Sequence, residues 1–367
     1  MISYHHTCSR MQCLYTAPLL LLLLVSSACA QSLPRFELDP LWPQLPMGDN
    51  WLTGGLGGIC VDDRDHIYLL NRQNVVADDL DGALLAPPII ELDTAGRVVQ
   101  GWGGPQLQSG RLHDCHVDAE HNVWVVDAAS GHVQKYAPDG GELLLQIGES
   151  GTYDSSDGSR RGAPLNSNRA QFFLPASIDV DSSNGDIYVA DGELAGGNSR
   201  IAVMDSRGEF LRQWPLHRTV AERGLIQLPH CIRLSNDGLV YVCDRRADRI
   251  QVFDRQGNFI KNLAVGFEPV SSPNGRTSGS RGNAVVLAFS PDPQQQHLYV
   301  VNQNSVMIDV LDRHSGEKLA SFGGGPGRYR GQFELPHGIA ADSQGNIYVA
   351  EQEGRRVQKY RLVDSSR

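Results

Sequence analysis

The chain has 367 residues, 42 acidic against 32 basic side chains and a formal net charge of −10. An acidic surface argues against nucleic acid and anionic membranes as partners. Past the first thirty residues the length suits one large domain, with no linker or low-complexity spacer inside it.

Residues 1–30 read as a secretory signal peptide. They carry Arg10 and no acid, an apolar run over 19–25, and the small-residue site Ala28-Cys29-Ala30 just before Gln31. The run is too short to span a bilayer. Acylation of Cys29 is the lesser alternative, because Ser26 suits that position poorly. The expectation is a secreted or periplasmic protein with no membrane span, a monomer, and a mature net charge of −11.

After an N-terminal segment, 31–56, six repeats fill 57–367. The first has strands at 57–62, 66–70, 89–92 and 98–102; the second at 115–118, 123–127, 132–136 and 142–147. The third (177–181, 186–191, 200–205, 210–214) and fourth (231–235, 240–244, 249–254, 259–263) follow the same plan, and the fifth (285–290, 297–302, 306–312, 318–322) is degenerate. Short strands of period-two alternation, split by Gly, Asp and Asn turns and grouped in fours, predict an all-β, six-bladed propeller. The sixth repeat stops after three strands (338–341, 346–350, 356–360), which would leave an open edge. The segment 35–41 is predicted to add the missing outer strand and close the ring.

Set on the residue that ends the first strand (Asp62, Asp118, Asp181, Ser235, Ser290, Asp342), the position five places earlier holds Gly57, His113, Ala176, His230, Val285 and His337. Histidine falls on alternate repeats, a third of a turn apart. His113, His230 and His337 would therefore meet on the channel axis as a three-nitrogen metal site with an open fourth position, the ligand set zinc uses in catalysis. Leu174-Pro175-Ala176 keeps the surrounding pattern without the histidine, so the fold does not demand it. Long insertions at 73–88, 149–171, 193–199, 216–227 and 266–281 fall on the same face and predict a pocket for a small-molecule or peptide substrate. The other histidines are read as surface residues. Cys60, Cys115, Cys231 and Cys243, at predicted inner strands, are read as free buried thiols in preference to disulfides.

The repeats resemble the NHL family, most closely at 332–336 (Gln-Phe-Glu-Leu-Pro), 187–191 (Ile-Tyr-Val-Ala-Asp) and 249–253 (Arg-Ile-Gln-Val-Phe). With histidines on alternate blades, the chain is similar to the peptidyl-alpha-hydroxyglycine lyases, exported NHL propellers that release a peptide amide and glyoxylate. That resemblance implies Zn2+ on His113, His230 and His337, and Arg72 and Arg245 at the carboxylate end of the substrate, with Arg72 also in the catalytic set. The family's catalytic tyrosine would follow Asp191-Gly192, where this chain has Glu193, so Glu193 or the loop residue Tyr153 would serve as base. The family's aspartate for a structural Ca2+ falls on Gly338, and Asp114 is the carboxylate available to reach the channel as a metal ligand instead. Two other readings are a non-catalytic propeller binding a peptide or protein partner, and another metal-dependent propeller hydrolase. For the calcium lactonase type of the latter, Asn283 and Asn302 are too few.

Overall fold

In the computed structural model, residues 33–222, 226–266 and 282–363 are described, together with the first two. The expected signal peptide lies outside them, as do most of the insertion at 266–281 and the last four residues. Six four-stranded antiparallel sheets follow one another along the chain, each with its first strand innermost. The inner strands are Leu56–Val61, Leu112–Val117, Pro175–Val180, Pro229–Leu234, Ala284–Phe289 and Pro336–Ala341. The fold is a six-bladed β-propeller. Its last blade is completed by Arg35–Leu38, which pairs antiparallel with Val357–Val363.

The repeat grammar has a physical reading at each turn of the chain. Where the first hairpin turns, Asp62, Asp118 and Asp342 each accept backbone N–H groups two and four residues on, which holds a tight turn. The second strand of every blade then carries one large aromatic, Tyr68, Trp124, Tyr188, Tyr241, Tyr299 or Tyr348, buried between sheets. Polar tips find partners: Trp124 Nε1 donates to Asp118 and the Tyr348 hydroxyl to Asp342. At the other end of that strand an acid is bound by an arginine opening the third strand, as in Asp191–Arg200, Asp244–Arg249 and Glu351–Arg356. Blade 2 puts His132 in the arginine's place. It is buried, not on the surface as the sequence suggests, and neither ring nitrogen has a hydrogen-bond partner.

The cysteines also depart from expectation. Cys60 is bonded to Cys115, joining the inner strands of blades 1 and 2, and Cys231 to Cys243, across the first hairpin of blade 4. Two disulfides suit an oxidising compartment. Among the described residues no helix is long and apolar enough to cross a membrane.

Candidate metal centre

Every inner strand breaks its pairing with the second strand at the same place. The ladder skips Gly57, His113, Ala176, His230, Val285 with Val286, and His337. A residue left out of the ladder is a β-bulge, which bends the strand and re-aims a side chain. The bulge falls on the position that holds histidine in alternate repeats, and it gathers the three rings. Their centroids stand 4.8, 4.7 and 5.3 Å apart, and all three are buried.

Alternation has a steric and a polar cause. Each histidine turns Nδ1 toward the backbone carbonyl at the bulge of the next blade: His113 to Ala176 at 2.6 Å, His230 to Val285 at 2.7 Å, and His337 to Gly57 at 2.8 Å. Those bulge residues are small or aliphatic, leaving room for the neighbour's ring. A carbonyl only accepts, so Nδ1 carries the proton and Nε2 presents its lone pair inward. Burial, outweighing the pull of Glu193, lowers the His230 pKa to about 4. Burial, then His113 and Arg72, hold His337 well below the ordinary value.

A second tier of side chains comes from the residue that follows the second strand. Its N–H bonds the carbonyl two places before the bulge: Arg72 to Gly55, Ala128 to Arg111, Glu193 to Leu174, Arg245 to Leu228 and Gln352 to Leu335. In blade 3 the extra residue Gly192 precedes that position, and Glu193 reaches the histidines. Its Oε2 is 3.0 Å from His113 Nε2 and 2.9 Å from His230 Nε2. Arg111, which the sequence reading did not single out, donates to Glu193 Oε1 at 2.8 Å. Arg72 lies over Gly57, where a Cβ would stand 2.7 Å from its Nε. It donates from Nε to the Leu112 carbonyl, and its buried Nη2 has no hydrogen-bond partner. Burial lowers its pKa to about 10, so it stays charged at neutral pH. Arg245 points Nη1 at His230 Nε2, 3.0 Å away, and Nη2 at Gln303.

The three histidines form a group able to hold a metal ion. The chemistry of the donors supports the fit. The imidazole lone pairs and the Glu193 carboxylate are all acceptors, and neither His113 Nε2 nor Glu193 Oε2 has a hydrogen-bond partner. Acceptors facing one another in a buried space repel unless a cation lies among them. The small space against the histidines, on the side of Asp114 and Ser177, is about 10 Å³, room for roughly one water-sized sphere. A second group, Asp62, His66 and Glu91, differs in kind. There Arg64 donates to Asp62 at 2.5 Å, Gln100 to Glu91 at 2.5 Å, and His66 Nδ1 meets Glu91 at 2.6 Å, so protein protons already occupy the donors.

Asp114 does not join the histidines. Its carboxylate takes both terminal nitrogens of Arg233, at 2.9 and 3.1 Å, and the Ser177 hydroxyl at 2.5 Å. Arg233 therefore supplies the positive charge in the channel beneath the histidines. A side chain added at Gly338 would meet Ile59 Cγ2 at 2.9 Å. With Asp114 paired to Arg233 and no side chain at Gly338, neither position presents an unpaired carboxylate to a calcium ion. Tyr153 is likewise committed: its hydroxyl donates to the Ala129 carbonyl at 2.5 Å, its ring packs on Phe173, and burial raises its pKa. That leaves Glu193 as the carboxylate beside the histidines.

Fold and site together define a class, the six-bladed NHL-repeat propeller with a histidine group in its channel. The NHL repeat pattern matches residues 227–253 and 333–360. Peptidyl-glycine alpha-amidating monooxygenase B of Xenopus laevis is 26% identical over 353 residues, 89% of this chain and 35% of that protein. Peptidyl-alpha-hydroxyglycine alpha-amidating lyase 1 of Drosophila melanogaster is 27% identical over 349 residues, 87% of this chain and 58% of that one. NHL repeat-containing protein 3 of Homo sapiens is 25% identical over 340 residues, 90% and 85% of the two. The chain thus spans about a third of the first relative and just over half of the second. Among solved structures, the WD40 β-propeller domain of Doa1 superposes with a TM-score of 0.51 at 9% identity, covering 86% of this chain and 82% of that one, a likeness of fold alone.

Proposed function

We propose that this protein is an exported zinc-dependent lyase that cleaves a peptidyl-alpha-hydroxyglycine, or a related hemiaminal, to an amide and glyoxylate. The observation that carries the reading is the convergence of three Nδ1-protonated histidines, lone pairs inward, beneath a buried carboxylate and a cluster of arginines. Similarity to the amidating lyases supports it, as do the disulfides.

His113, His230 and His337 would hold the ion, which supplies Lewis acidity toward the hydroxyl oxygen of the substrate. Arg72 and Arg245 meet the substrate carboxylate, for which the planar guanidinium is suited. Arg111, 2.8 Å from Glu193 Oε1, and the cation that the histidines would hold both favour the ionised carboxylate, which is then able to take a proton. It accepts the hydroxyl proton as the C=O bond forms and the C–N bond breaks, and returns that proton to the departing amide nitrogen. Incubating the zinc-loaded protein with a peptidyl-alpha-hydroxyglycine should release glyoxylate. No release at high enzyme concentration refutes the lyase reading.

A second reading, a propeller that binds a peptide or protein partner without catalysis, fits the match to NHL repeat-containing protein 3, of which this chain covers 85%. Metal analysis after dialysis separates the two. About one zinc per chain supports the enzyme, and a metal-free protein supports the binding module.

A further inference from the structure

Glu193 is built into the centre with more care than a loop residue needs. The extra residue that brings it inward, Gly192, is packed so tightly that a Cβ there would lie 2.5 Å from Pro229 Cδ and 2.9 Å from the Asn198 carbonyl. One carboxylate oxygen then faces His113 and His230 at 3.0 and 2.9 Å with no hydrogen bond to His113, while Arg111 takes the other at 2.8 Å. With bonds of about 2.0–2.2 Å, the donor atoms of a four-coordinate ion stand about 3.3 Å apart. Glu193 Oε2 is close to that spacing from two of the three histidines.

We infer that Glu193 is a fourth protein ligand in the resting protein, and that Arg111 holds it there until a small carboxylate ligand displaces it. The inference rests on the reading that the histidines hold a metal, and it gives Glu193 two positions in one cycle: ligand at rest, base once substrate has arrived. The arginines supply the exchange. Arg72 Nη2 and Arg111 Nε are buried N–H groups without partners, so an arriving carboxylate gains hydrogen bonds that Glu193 does not satisfy. As it draws on Arg111, the clamp on Glu193 loosens. A ligand without an anionic group has no means of opening the site.

Cobalt substitution reads the ligand set without recourse to activity. Cobalt-loaded wild type should show the intense visible bands of a four-coordinate ion. Glu193→Gln should show the weaker bands of a water-bound centre and retain zinc at least about ten-fold less tightly in a chelator competition. Glu193→Asp, which keeps the charge but shortens the reach, should shift the bands too, and covers the case in which the glutamine variant does not fold. Titration with glycolate should change the wild-type bands, and glycolate should bind Glu193→Gln more tightly, there being no carboxylate to displace. Unchanged bands and zinc affinity in both variants overturn the inference while the metal reading stands. A wild-type protein that takes up no cobalt overturns both.

Discussion

A neutral imidazole buried in the channel gives the molecule an acid-sensitive centre. The His230 pKa is about 4 in the folded chain, against about 6.5 when unfolded. Between those values the unfolded chain binds a proton that the folded one does not. Stability is therefore full above about pH 6.5 and is lost as pH falls toward 4. The whole span amounts to about 3 kcal/mol. His337 is shifted in the same direction, so the effects reinforce. Urea unfolding of the metal-free protein at pH 7 and pH 5, with chelator present, should show a lower midpoint at pH 5. The same comparison on His230→Gln should give a flatter dependence, and an equal slope would place the acid sensitivity elsewhere.

At the scale of strands, the channel is cross-braced below the histidines. Arg233 on the inner strand of blade 4 reaches Asp114 on that of blade 2 and the Ser177 hydroxyl and Ile178 carbonyl on that of blade 3. Three blades are tied by one guanidinium. Removing one member of a buried pair leaves the other charged and unpaired, so Arg233→Ala should destabilise the protein by about 3–5 kcal/mol. Arg233→Met with Asp114→Leu should lose much less, because no lone charge remains. Chemical denaturation of the two variants checks the claim, and equal losses would show that the bridge is not the cause. Repeat-level features of this kind were legible in part. Spacing alone placed histidine on alternate blades, because one equivalent position recurs through the chain. The bulge that aims them was not legible, since a skipped residue appears only when two strands are paired. Cys231–Cys243 was within reach, for a hairpin centred on Asp237 sets those residues opposite each other. Cys60–Cys115 needed the order of blades in space. Arg111 had no signal at all: it lies in an interblade loop, and its role depends on Glu193, 82 residues away.

For the ring as a whole, closure rests on a short strand remote in sequence from its partner. Arg35–Leu38 pairs with Val357–Val363, covering the one sheet edge the last repeat would leave open. The segment does more than supply hydrogen bonds. Phe36 packs on Phe322 and Tyr299 of blade 5, with ring centroids 4.4 and 5.4 Å away, and Trp42 on Tyr348 of blade 6 at 4.9 Å. It thus clamps the fifth blade to the sixth as well as the first end of the chain to the last. Aromatic burial dominates that contribution: Trp42 is buried, where truncation costs about 3–5 kcal/mol, and half-buried Phe36 adds a smaller share. A chain starting at Pro46 loses both aromatics and the ladder, and should melt about 5–10 °C lower than one starting at Gln31. Phe36→Ala in the longer chain should reproduce part of that fall while keeping the strand's backbone. If the shortened chain melts at the same temperature, the ring is closed by blade-to-blade packing and the strand is an accessory to it.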